Sequence, residues 1–205
     1  MKVLLLNGSP HKNGNTALAL AEMQKIFSEN GVETVTLQVG GQPIRGCVAC
    51  GSCRGTGKCA FDDPVNEAAG ILESCDGVVA ASPVYYASAN ATLLAFLDRL
   101  FYSSRCDKRM KVGASVAVAR RAGTTATVDE INRFFTISGM PVASSQYWNV
   151  LHGGSPGQVA EDEEGMQTVR VLARNMVFLM KSIALGRETY GLPESEPRVY
   201  TNFIR

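Results

Sequence analysis

The chain alternates short, wholly apolar runs with longer stretches in which apolar residues return every three or four positions. Residues 3–6, Val-Leu-Leu-Leu, are the first run, as expected of a strand buried on both faces. A helix is predicted from about Asn15 to Asn30. Leu20, Met23 and Phe27 form its stripe, Ala19 and Ile26 lie beside them, and Gly31 stops it. Residues 33–38 alternate and predict a second strand. Residues 39–63 carry Gly40, Gly41, Gly46, Gly51, Gly55 and Gly57 without periodicity, the mark of a long functional loop. A short helix is expected around 64–74, with Pro64 in its first turn. Residues 77–82 predict a third strand ending at Pro83. A helix follows over 88–104, with Leu93, Leu94, Leu97 and Leu100 inward. The pattern then gives a fourth strand at 112–119, a helix at 125–138, a fifth strand at 141–147 and a glycine-rich loop at 149–160. The last helix spans about 161–185. Met166, Val169, Ala173, Met176, Met180 and Ile183 step along one side of it, and the tail after Gly186 has no period.

Five strand–helix units imply an α/β fold: a doubly wound, five-stranded parallel sheet with helices on both faces. No domain boundary or internal repeat interrupts residues 1–205, so a single domain is expected, with its cysteine-rich loop at 39–63. Ligands of such sheets sit beyond the carboxyl ends of the strands. That rule directs attention to loops 8–16, 39–63, 83–88 and 120–124.

Composition narrows the function classes. A net charge of +1 provides no basic field for nucleic acid or an anionic membrane. No apolar run approaches a membrane span. Met1–Asn7 resembles the start of a signal peptide but lacks the length and the small-residue cleavage site. A cytoplasmic protein is expected. Its 6 cysteines are too few for a disulfide scaffold.

Two motifs carry chemistry. Gly8-Ser9-Pro10-His11-Lys12-Asn13-Gly14-Asn15-Thr16 lies between a strand and a helix N-terminus, where free amides and the helix dipole favour an anion. Ser9, Asn13, Asn15 and Thr16 add hydroxyl and amide donors. The loop matches neither G-x-G-x-x-G nor G-x-x-x-x-G-K-[ST]; its uncharged polarity suits a terminal monophosphate, although Asn and Thr are also ordinary helix caps. The second motif is Cys47-x2-Cys50-x2-Cys53-x5-Cys59. Four thiols so spaced can converge on one centre, an iron–sulfur cluster or zinc, or remain free or disulfide-bonded. Cys75 and Cys106 stand apart and read as ordinary thiols.

Asn7-Gly8-Ser9-Pro10 with Asn13-Gly14-Asn15-Thr16 resembles the phosphate loop of the NADPH-dependent FMN reductase family, whose fold is flavodoxin-like with strand order 2-1-3-4-5. Ser82-Pro83-Val84-Tyr85-Tyr86, Ala91–Arg99 and Asp62-Asp63 are similar to that family as well. The resemblance implies FMN, with Ser9, His11, Asn13, Asn15 and Thr16 at its phosphate and Pro83, Val84, Tyr85 and Tyr86 along its ring. The cysteine spacing resembles the iron–sulfur flavoprotein branch, which implies a [4Fe–4S] cluster on Cys47, Cys50, Cys53 and Cys59. Arg120-Arg121-Ala122-Gly123 lies at the fourth strand's end; its paired arginine stands to meet the flavin's electron-rich edge or a pyridine-nucleotide phosphate, with Arg120 and Gly123 the candidate cofactor contacts, and a solvated basic turn is the alternative. His11 and His152 have no metal or triad partner at a recognised spacing. Trp148 belongs either to the core or to a loop covering a neighbouring subunit's site.

The expected activity is an FMN-dependent oxidoreductase. NAD(P)H or a ferredoxin-like redox protein would be the donor, and a small molecule or a protein the acceptor. The alternative is a non-enzymatic electron carrier or redox sensor of the flavodoxin type. The resemblance also implies a homodimer or homotetramer.

Overall fold

A computed structural model describes residues 1–203. Its parallel strands are β1 (Lys2–Asn7), β2 (Glu33–Gln38), β3 (Gly77–Tyr85), β5 (Val112–Ala119) and β6 (Val150–His152), in the order β2-β1-β3-β5-β6. Leaving out the short antiparallel strand β4 (Ser88–Ala89), which pairs only with β3, this is the 2-1-3-4-5 order of flavodoxin-like folds. The helices are α1 (Asn15–Glu29), α2 (Ser52–Thr56), α3 (Pro64–Glu73), α4 (Ala91–Ser103), α5 (Thr124–Ile137) and α6 (Glu163–Tyr190).

Side-chain alternation along β1 divides the core. Val3 and Leu5 point to a layer filled by Leu20, Met23 and Phe27 of α1 and Val169, Leu172 and Met176 of α6. Leu4 and Leu6 point to the opposite layer, with Val65 and Leu72 of α3, Leu93, Phe96 and Leu97 of α4, and Ile131 and Phe135 of α5. An apolar run without polar interruption is therefore what a strand sealed on both sides requires. Each such side chain contributes about 1.5–3 kcal/mol by leaving water.

Three elements depart from the sequence pattern. The fifth parallel strand is Val150–His152 rather than 141–147; the latter run meets the sheet in one isolated bridge, Val142 opposite Gly113, with the Gly113 amide donating to the Pro141 carbonyl and the Ala143 amide donating to the Gly113 carbonyl, both at 2.8 Å. β3 does not end at Pro83 but continues to Tyr85, since its tip folds back on β4 through a turn in which Tyr86 (φ 51°) and Ala87 (φ 59°) are left-handed. The helix expected from residue 88 consequently begins at Ala91, where the Asn90 side chain accepts from the Thr92 amide at 2.7 Å. The last helix also runs further than its stripe, to Tyr190, and Asp162 caps it by accepting from the Gly165 amide at 2.9 Å. Among the described residues no helix is long and apolar enough to cross a membrane.

The loops after β1 and β2 touch at Gly8 and Gly40. A Cβ at Gly40 would overlap the Gly8 carbonyl and the Ser9 backbone, which cannot give way as a side-chain tip can. Gly40→Ala is expected to lose about 1–3 kcal/mol in urea unfolding. Gly70→Ala, in the exposed interior of α3 with open space at the added methyl, should instead gain about 0.5–1 kcal/mol.

Candidate functional site

Loops at the carboxyl edge of the sheet enclose a cleft of about 580 Å³, within the range of cofactor sites. Ser9, His11, Lys12, Asn13, Gly14, Asn15 and Thr16 form one wall. Pro83, Val84 and Tyr85 come from the end of β3, Val118, Ala119 and Arg120 from the end of β5, and Gly153, Gly154 and Pro156 from the segment after β6. No acidic residue is among these lining residues, and Lys12 and Arg120 bring positive charge.

Short-range polar bonds shape the first wall. The Ser9 amide donates to Asn7 Oδ1 at 3.0 Å and the His11 amide to Ser9 Oγ at 3.1 Å, two side-chain turns that curl the chain. Asn7 Nδ2 donates to Gln38 Oε1 at 2.8 Å, and Gln38 Nε2 donates back to the Ser9 carbonyl, tying the loop to β2. α1 begins after Gly14 with no side-chain cap. Its first-turn amides are thus left for a ligand, and the buried Thr16 stands beside them.

Nine of the sequence-derived candidates meet at this cleft: Ser9, His11, Asn13, Asn15, Thr16, Pro83, Val84, Tyr85 and Arg120. Asn15 reaches it with its polar atoms already engaged. Its Nδ2 donates to the carbonyls of Gly153 (3.2 Å) and Ser155 (2.9 Å), and its Oδ1 accepts from the Val159 amide at 3.4 Å. The side chain braces one wall against another rather than facing a ligand. Tyr86 lies outside the lining, fully exposed at the tip of the β3–β4 turn. Gly123 also lies outside it. It caps α5 at φ 87°, and a Cβ there would press on Ala87 and Val84. Trp148 is 60% exposed and packs on Tyr147 with ring centroids 5.0 Å apart, so it is not a core residue.

Cys47, Cys50, Cys53 and Cys59 line a second, tight pocket of about 20 Å³, together with Phe61, Arg99 and Tyr102. Cys47 and Cys50 are exposed and Cys53 and Cys59 are half-buried. The sequence spacing predicts convergence on one centre. Among the described residues, however, no three His, Cys, Asp or Glu side chains are gathered as if around one ion. The thiols share a pocket without closing on a point. Part of the reason is local: α2 separates Cys50 from Cys59, bounded by Gly51 (φ 75°) and Gly57 (φ 70°), both left-handed. Asn66 fixes the far end, accepting from the Cys59 amide at 2.9 Å and donating to the carbonyls of Cys59 (3.0 Å) and Phe61 (3.1 Å). No residue lines both this pocket and the cleft.

Arg99 is the feature that sequence reasoning missed. Its side chain is 1% exposed, and every N–H of the guanidinium has an acceptor. Nη1 and Nη2 grip Asp63 Oδ2 and Oδ1 at 2.6 and 2.9 Å. Nε and Nη2 both donate to Cys59 Sγ at 3.2 Å, and Nη1 also reaches the Arg45 carbonyl at 3.2 Å. Burial alone would push the guanidinium pKa down. The hydrogen bonds to Asp63 and then Cys59, with their charge attraction, outweigh it and raise the pKa. A signal existed, since Arg99 falls three residues after Phe96, on a side of α4 that is buried. Elsewhere, Cys75 is buried, and that burial pushes its thiol pKa up.

Asn15→Ala removes the brace between the first wall and the segment after β6. It should cost about 1–2 kcal/mol in denaturant unfolding and speed hydrogen exchange at the Val159 amide, with exchange in β1 unaffected.

The family model described as NADPH-dependent FMN reductase matches residues 1–154. An iron-sulfur flavoprotein of Methanocaldococcus jannaschii is 32% identical over 195 residues, covering 89% of this chain and 99% of its own. An iron-sulfur flavoprotein of Methanosarcina thermophila is 31% identical over 193 residues, covering 92% of this chain and 100% of its own. The crystal structure of RosB with bound 8-demethyl-8-formylriboflavin-5'-phosphate shares the fold, with a TM-score of 0.70 at 14% identity over 100% of this chain and 94% of that one. With three quarters of its length matched by the family model and full-length relatives above 30% identity, the chain belongs to the NADPH-dependent FMN reductase family.

Proposed function

We propose that this protein is an FMN-dependent oxidoreductase that takes electrons from NAD(P)H or a ferredoxin-like protein and delivers them to a small-molecule or protein acceptor. The observation that carries the reading is the cleft itself: free of acidic residues, of coenzyme size, and open to the uncapped N-terminus of α1. When bound there, FMN supplies hydride acceptance and single-electron release, which no side chain of this chain provides.

The residues present fit that group. First-turn amides of α1, with the hydroxyls of Ser9 and Thr16 and the Asn13 amide, offer donors to a phosphate without requiring a cation. Ser9 Oγ accepts from the His11 amide, which leaves its own hydrogen free to donate. Val84 and Tyr85 present apolar surface on the opposite wall, and Arg120 adds positive charge there. Asn15 acts indirectly, holding Gly153 and Ser155 in place beside the phosphate loop.

In the same reading Cys47, Cys50, Cys53 and Cys59 ligate a [4Fe–4S] cluster. A soft all-thiol set favours iron–sulfur or zinc over harder ions. Gly46, Gly51 and Gly55 have open space around them, which gives the exposed cysteines freedom to close over the cluster. Arg45 and Arg54 in the loop and Arg99 beneath it offset the negative charge that such a centre brings.

Protein purified without oxygen should show flavin absorption with broader visible absorption from iron, and should oxidise NADPH in the presence of an electron acceptor. Colourless protein with no affinity for added FMN would end the proposal. Thr16→Val keeps the side-chain shape and removes the hydroxyl. It should weaken FMN binding by about 1.5–3 kcal/mol, roughly tenfold to a hundredfold in Kd, and leave the FMN-free unfolding midpoint in place. Replacing Cys53 by Ala should abolish bound iron and sulfide yet retain the flavin bands.

A further inference from the structure

Arg99 is nearly sealed from water, and a buried guanidinium is tolerated only where its donors and its charge are well matched. Asp63 answers the charge with a two-point grip. The remaining face of the guanidinium is spent differently: Nε and Nη2 converge on the single sulfur of Cys59. A neutral thiol is a weak acceptor and a poor partner for two charged donors. A sulfur carrying negative charge, as a metal ligand does, is a good one. The other cysteines of the run are placed otherwise; Cys47, for example, receives only the Ala49 amide at 3.5 Å. Phe61 completes the surround, with the guanidinium carbons of Arg45 and Arg99 at 4.7 and 4.9 Å from its ring centroid. The burial of Arg99 lowers the local dielectric and so strengthens its contact with Cys59.

We propose that Arg99 is the positioning residue that fixes Cys59 as the anchored ligand of the cluster and raises the cluster's reduction potential, while Asp63 limits that rise. The inference rests on the cluster reading given above. Hydrogen bonds to a ligating sulfur draw electron density from it, and a nearby buried positive charge stabilises the added electron. Asp63 lies on the same guanidinium with the opposite charge, so the two residues act with opposite sign. Cys59 is the fitting anchor because its backbone is already clamped to α3 by Asn66, whereas the exposed Cys47 and Cys50 are free to adjust.

The test is an anaerobic potentiometric titration of the holoprotein, with the cluster followed by electron paramagnetic resonance and the flavin by absorbance. Arg99→Gln, which removes the charge, should move the cluster midpoint to more negative potential. Arg99→Lys keeps the charge but loses the two-donor grip and should fall between Arg99→Gln and the wild type. Asp63→Asn retains an oxygen to accept from the Val65 amide at the start of α3 and should move the midpoint to more positive potential. The flavin midpoint should stay unchanged in all three, since no residue lines both pockets. A merely structural role would not produce shifts of opposite sign. Should Arg99→Gln fail to fold, Arg99→Lys and Asp63→Asn decide the matter. A wild-type cluster whose midpoint is unmoved by these variants, or moved in one direction by both, overturns the inference alone. Wild-type protein without iron and sulfide overturns the cluster reading and the inference together.

Discussion

Sealing the central strands on both faces is the constraint from which the rest follows. The last five residues of β1 and the first six of β3 are buried, so backbone polarity can reach solvent or a ligand only where the strands end. The unpaired amides of α1, the tip of β3 and the glycines after β6 all emerge at one edge. The cleft is therefore a by-product of a well-buried parallel sheet. What the loops offer there is amides, hydroxyls and apolar surface.

The cysteine segment is held by different means. It contributes little to either core layer; of its thiols only Cys59 packs against one. Its anchorage is polar. Asn66 clamps the Cys59–Phe61 turn to α3, and Arg99 reaches from α4 to Asp63, Cys59 and Arg45 at once. Asp63 is also the N-cap of α3. One carboxylate thus terminates a helix and neutralises a buried cation, which couples the loop's position to the helical layer beneath it.

What the sequence made legible tracks how far a signal extends along the chain. β1, α1 and α4 have long apolar runs or stripes and were read within a few residues. The final strand falls outside its predicted bounds because Val150–His152 is three residues long, too short to show a period, while the neighbouring Pro-Val-Ala run is more strand-like in composition. The β3–β4 hairpin was invisible because Tyr86 and Ala87 occupy left-handed positions where glycine or asparagine would have announced a turn. At the cleft, the structure brings nine of the candidates together, but place alone does not give a side chain its role. Asn15 reads as a phosphate donor, but its amide joins two loops, a contact across more than a hundred residues that no local pattern encodes. Arg99 was concealed by the habit of expecting charge on a helix's outer face.

α4 sets a length scale that neither loop controls. Its N-cap is Asn90, whose amide donates to Ser82 Oγ at 2.8 Å beside the cleft-lining Pro83. Arg99 lies nine residues further along, about 13 Å at the helical rise. Within one chain the helix acts as a ruler between the two sites. The spacing between the β3 end of the cleft and the buried guanidinium is therefore set by the number of helical turns between them, not by the conformation of either loop.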